Sequence, residues 1–144
     1  MTHEDEGHYA AKHTGANIDS TIAVQVEEKM SEGCISCGAA HKIARDLKVK
    51  PEEVGVTIDL LEARITKCQL GLFGYSSQRM IVKPSERVAT SLQQAIEECL
   101  VNGRLPCAAS WEIAAKLNVD KIKVASACEK LKIKMCSCQL GAFK

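Results

Sequence analysis

Apolar residues recur every four positions early in the chain, at Ile18, Ile22, Val26 and Met30, with polar residues between them. Seventy positions later Val88, Leu92, Ile96 and Leu100 repeat the stripe. Spacing near 3.6 predicts amphipathic helices, here over 18–32 and 85–102. Gly33 and Gly103 stand just beyond these runs, where a helix favours a left-handed residue. A second periodic stretch follows each glycine, through Ile43-Ala-Arg-Asp-Leu47 and Ile113-Ala-Ala-Lys-Leu117. Ser36 is placed to cap the first of these, and Pro106 holds the matching place in the other. A break at Lys48-Val49 or Asn118-Val119 then leads to a third helix, expected from Pro51 or Lys121 to near Arg64 or Lys134. Extended segments over 65–73 and 135–143 close each stretch.

The offset of seventy holds without a gap. Cys68-Gln-Leu-Gly-Leu-Phe73 falls on Cys138-Gln-Leu-Gly-Ala-Phe143, and Cys37/Cys107, Ile43/Ile113, Ala44/Ala114, Val54/Val124 and Leu61/Leu131 are identical. Most shared positions are small or apolar, while charged positions mostly diverge. A fixed-period repeat of this kind marks two copies of one supersecondary unit.

The run Ile43-Ala44-x-x-Leu47-x-Val49 with Val54 after it, and its copy Ile113-Ala114-x-x-Leu117-x-Val119 with Val124, resembles the helix-turn-helix signature of the winged-helix superfamily. Ala44 and Ala114 are small where two helices cross, and the residue opening the turn, Lys48 or Asn118, is one that tends towards positive φ; Asn adopts that more readily than Lys. The resemblance implies a mainly α fold of tandem winged-helix (helix-turn-helix) repeats with short β segments. It divides the chain into an N-terminal arm (1–17), a first repeat (18–83) and a second (84–144). Winged helices end in a two-stranded hairpin, so Arg79-Met-Ile-Val-Lys83 is expected as the return strand of copy one. The second copy reaches Lys144 straight after its motif, and its wing is expected to be truncated.

Winged helices bind DNA, RNA or proteins, so the partner has to be argued from charge. Over residues 50–64, Lys50 and Arg64 stand against Glu52, Glu53, Asp59 and Glu62, a net of −2; over 120–134, five lysines stand against Asp120 and Glu129, a net of +3. In a helix-turn-helix the third helix enters the groove while nearby cations neutralise phosphates. The expected nucleic-acid contacts are therefore Lys121, Lys123, Ser126, Lys130, Lys132 and Lys134 of the second repeat. Small Ala125 and Ser126 are expected to let that helix approach closely, although it carries no Arg, Asn or Gln for bidentate base reading. The acidic first repeat suits a protein partner or a homodimer mate. The leading reading is a small DNA-binding protein of transcriptional-regulator type, and its rival is a protein-interaction adaptor.

Eight cysteines add a third reading, a metal or redox sensor. Cys34-x-x-Cys37 with Cys68, and Cys107 with Cys136-x-Cys138, are fragments of a zinc or iron–sulfur site, and His41 is the nearest extra ligand in copy one. Against this, Cys is a small buried hydrophobe, the spare cysteines do not match between copies, and core packing is the better reading, with no cofactor. Cys37 and Cys107, at helix starts, are the thiols expected to be most reactive.

Composition changes little in this picture. Net charge is +1 and five residues are aromatic, so the core must be built from aliphatic and small side chains. His3, His8 and His13 sit in a polar stretch expected to be a mobile arm, with transient metal capture as a lesser reading. The start of the chain lacks a basic and apolar leader, and no apolar run approaches the ~20 residues of a membrane span, so a cytoplasmic protein without membrane contact is expected. No phosphate-cradling loop, paired carboxylates or nucleophile elbow is present, and two small helical units leave little room for a substrate cavity. Enzymatic activity is not expected.

Overall fold

The computed structural model describes residues 8–76 and 80–144. His3 and Arg79, which carry parts of the expectations above, lie outside the described residues. Six α-helices and four short strands are present among them. Two compact units result: the described residues up to Cys68 with Gln139–Phe143, and Gln69–Cys138 with Lys144. This departs from the expected division at 83/84. The Gln-Leu-Gly motif that ends each repeat in sequence belongs, in space, to the unit built by the other repeat.

Unit one runs α1 (Ser20–Lys29), β1 (Cys34–Ser36), α2 (Cys37–Leu47), α3 (Pro51–Leu60) and β2 (Arg64–Thr66). Unit two repeats it as α4 (Thr90–Glu98), β3 (Leu105–Pro106), α5 (Cys107–Leu117), α6 (Lys121–Leu131) and β4 (Met135–Cys136). The first helix of each unit is shorter than its apolar stripe predicts. Chain after α1 turns back at once: Glu32 and Gly33 both have positive φ, and Ser31 and Cys34 exchange both backbone hydrogen bonds at 2.9 Å. Asn102-Gly103 makes the same turn between Val101 and Arg104. Two left-handed residues in succession are what a tight primed hairpin turn demands, and Asn-Gly is its preferred pair. The glycines thus serve a hairpin turn and do not cap the helix directly.

Ser36 does cap α2, its Oγ accepting the Ala39 N–H at 3.1 Å. Both turns between second and third helix open on a left-handed residue, Lys48 at φ 56 and Asn118 at φ 54. In unit two Leu92, Ile96, Leu105, Ile113, Ala114, Val124, Ala127 and Cys128 form one apolar cluster. The matching residues of unit one, Ile22, Val26, Ile35, Ile43, Ala44, Val54, Thr57 and Ile58, are likewise buried.

Each third helix is followed by a strand that pairs in parallel with the strand before the second helix: Cys34–Ser36 against Arg64–Thr66, and Leu105–Pro106 against Met135–Cys136. No antiparallel hairpin follows among the described residues. The expected return strand is absent over residues 80–83, where the N–H groups of Ile81 and Val82 both donate to the Gly71 carbonyl, a turn contact and not a ladder. The arm expected over 1–17 also differs. Tyr9–His13 forms a 3-10 turn packed on α3, with Tyr9 only 3% exposed. A buried aromatic supplies apolar area that holds this segment down, and Glu62 accepts the N–H groups of Tyr9 and Ala10 at 3.0 and 2.8 Å.

Candidate nucleic-acid interface

The basic set lies on and after α6. Lys123, Lys130, Lys132 and Lys134 are exposed. Lys121 is half-buried, its Nζ 4.5 Å from the centre of the Trp111 ring, a cation–π contact that fixes it beside α5. The remaining face of α6 turns inward: Val124, Ala125, Ala127 and Cys128 are buried. Ala125, expected to open a groove-facing surface, is only 1% exposed. Ser126 is half-buried and its carbonyl accepts the Ser85 N–H at 3.1 Å. Their small size serves close packing against the chain, so the helix offers nucleic acid its lysines but not a bare face.

The same position on α3 explains why small residues stand there. Gly55 lies under the tail segment of unit one: a Cβ added to it would overlap the Leu140 carbonyl oxygen and sit 2.7 Å from the carbonyl carbon. On a second face of α3, Asp59 is 1% exposed and its Oδ2 meets His13 Nε2 at 2.7 Å and Lys12 Nζ at 3.2 Å, while Oδ1 is buried with no hydrogen-bond partner. Lys12 Nζ also reaches the Gly141 carbonyl at 3.4 Å. Covered on two faces, and with Glu52 and Glu53 exposed, α3 is closed to a phosphate backbone. The contacts of Lys12 and His13 with Asp59 leave no local signature, because the partners stand 46 or more residues apart; the pattern marked His13 only as one of three histidines in the arm.

The cysteines do not assemble into the expected ligand sets. No disulfide joins any of the eight, and no group of three or more His, Cys, Asp or Glu among the described residues is placed to hold a metal ion. In unit one Cys34 and Cys37 flank β1 at its two ends, so parallel pairing with β2 separates them along the strand. Cys37, Cys68, Cys107, Cys128 and Cys136 are buried, whereas Cys34, Cys99 and Cys138 are half-buried. Burial pushes the Cys128 thiol up to about 11, with the Glu129 carboxylate adding to the shift. His41 is buried in α2.

Among the described residues, no helix is long and apolar enough to cross a membrane. No protein-family model, curated protein or solved structure matches the chain.

Proposed function

We propose that the chain is a small nucleic-acid-binding protein of transcriptional-regulator type, gripping phosphates through unit two. One observation carries this reading: Lys123, Lys130, Lys132 and Lys134 project from and beyond a helix whose counterpart in unit one is acidic and covered. The helix-turn-helix geometry of α2–α3 and α5–α6, each with its left-handed turn residue, supports kinship with winged helices in which a parallel two-strand ribbon stands where the wing would be. Since Ala125 is buried and Ser126 half-buried, contacts fall mainly on the backbone and sequence discrimination is weak. An electrophoretic shift assay on a short duplex tests this. Binding should weaken linearly in log salt, and removing each contacting lysine should lower the slope by about 1. Absence of any salt-dependent binding at low ionic strength overturns it.

An adaptor role is the second reading, favoured by unit one. There Ile18 and Val24 are 47% and 53% exposed beside a closed, acidic α3. Charge reversal at Lys123 and Lys130 that leaves function untouched would favour the adaptor.

A further inference from the structure

Parallel pairing lays β1 and β2 side by side in the same sense, with Ser36 facing Thr66. The two ends of this ribbon differ in chemistry. Cys34 stands at one end, and Cys37, the first residue of α2, leaves the other. Cys68 follows two residues after Thr66 and so comes to the Cys37 end. Unit two repeats the placement: Pro106 faces Cys136, Cys107 opens α5, and Cys138 follows two residues after β4. In both units the residue before the second cysteine is left-handed without being glycine, Lys67 at φ 52 and Ser137 at φ 53. That conformation strains a residue with a Cβ, and it turns the chain just where the strand has ended. Of the eight cysteines only these four match between the repeats. Counting by seventy, Cys34, Cys99, Cys128 and Cys136 stand against Arg104, Lys29, Ile58 and Thr66, so a cysteine that merely fills space is exchanged for other side chains here. Cys68 and Cys138 also mark a boundary, since Gln69 and Gln139, next in the chain, already belong to the other unit.

We propose that Cys37 with Cys68, and Cys107 with Cys138, are two redox-responsive dithiols, each closing a disulfide at the same end of its ribbon. The oxidant is a low-molecular-weight disulfide of the glutathione class. One cysteine thiolate attacks it, a mixed disulfide forms, and one glutathione leaves as its thiolate. The second cysteine thiolate then attacks the protein sulfur of that mixed disulfide and expels the other glutathione. Each pair gives up two electrons and two protons, and the two departing glutathione thiolates take them up as two thiols. Cys138 is half-buried whereas Cys37, Cys68 and Cys107 are buried, so Cys138 is the entering thiol and unit two oxidises first. Each bond closes a loop that contains the second and third helices, and it pins the point from which the exchanged tail departs. It stabilises the fold by restricting the unfolded chain. This inference stands apart from the nucleic-acid reading and needs none of its lysines.

The experiment holds the full chain, purified reduced and without oxygen, in buffers of varied glutathione to glutathione-disulfide ratio. Remaining thiols are trapped with N-ethylmaleimide, and the chain is read by intact mass and peptide mapping over time. Two links are expected, Cys107–Cys138 first and Cys37–Cys68 after it, each lowering the mass by two hydrogens. The oxidised chain should unfold at a higher urea concentration than the reduced chain. Cys138→Ser and Cys68→Ser should each remove only their own link, and Cys34→Ser and Cys99→Ser neither. Mapping the parent chain decides the matter without any variant, so a substitution that folds poorly does not blunt the test. Thiols that stay reduced at every ratio that oxidises the urea-unfolded chain overturn the proposal. So do links that join Cys34 to Cys37 or Cys136 to Cys138 instead, and so does oxidation that begins only after a chelator has removed a bound metal. A link in one unit alone overturns the claim for the other.

Discussion

Gly55→Ala puts the packing of unit one to a direct test, because two effects oppose each other. In the middle of α3 the change relieves a glycine of its conformational entropy and is worth about 1 kcal/mol in favour of the fold. The added Cβ, however, would overlap the Leu140 carbonyl and stand 3.0 Å from its Cα. Backbone cannot rotate aside as a side-chain tip does, so the Gln139–Phe143 segment must lift. Leu140 is 2% exposed, and returning a buried Leu to water costs about 1.5–3 kcal/mol. Ala142, 6% exposed, follows it. Net destabilisation of roughly 1–2 kcal/mol is expected, which for a chain of this size lowers Tm by roughly 2–8 °C. Urea unfolding followed by far-UV circular dichroism measures it. Leu140→Ala and the double variant complete a cycle: once the segment has lifted, truncating Leu140 should cost less than it does in the parent. In unit two the matching Ala125 already carries a methyl and is buried, so Ala125→Gly should also destabilise, by about 1 kcal/mol or more. A more stable Gly55→Ala chain, or strict additivity with Leu140→Ala, would refute the proposed packing.

Two further outcomes follow from single residues. Lys48 holds φ 56, a conformation that strains a residue with a Cβ, so Lys48→Gly should raise stability by about 0.5–1 kcal/mol in urea melts, and Asn118→Gly by less, since Asn tolerates that region. The Cys128 thiol is raised to about 11 in the fold against an ordinary value near 9; the folded state therefore holds its proton more tightly, stability is full below pH ~9 and is lost as pH rises through ~11. The loss amounts to about 2–3 kcal/mol at full titration. Cys128→Ala should flatten the urea midpoint between those limits, and an unchanged slope would count against it.

What the sequence made legible was the part written in local chemistry. The second helices, the starts of the third, the Ser36 cap and the left-handed residues at Lys48 and Asn118 all follow from period, cap preference and turn geometry, while the third helices stop at Leu60 and Leu131, short of the expected Arg64 and Lys134. Helix one was overread: Ile18 and Met30 continue the period, yet Ile18 is 47% exposed and Met30 already leaves the helix. The turn that stops it needs positive φ at Glu32 as well as Gly33, and only the glycine announces itself. The tails were illegible for a different reason. A Gln-Leu-Gly motif that ends each repeat in sequence says nothing of which unit its leucine enters, since Leu70 and Leu140 look alike to either core. The same holds for the metal reading, because cysteine spacing is silent about which end of a strand each thiol occupies.

The charge divergence between the copies is not of one kind. On exposed faces its sign is mixed: Lys42 is answered by Glu112, Lys50 by Asp120, and Asp46 by Lys116. Such exchanges on solvated faces cost little, because exposed charges contribute little to stability. Around the start of α4 the sign is mixed as well: Asn17 becomes Arg87 and Asp19 becomes Ala89, but Ala16 becomes Glu86. Losing Asp19 also removes the hydrogen bonds to helix-start N–H groups that unit one keeps, a loss worth about 1 kcal/mol. Unit two bears that cost at α4 and unit one does not, so Ala89→Asp should recover about 1 kcal/mol in urea melts, and an unchanged midpoint would refute the cap argument.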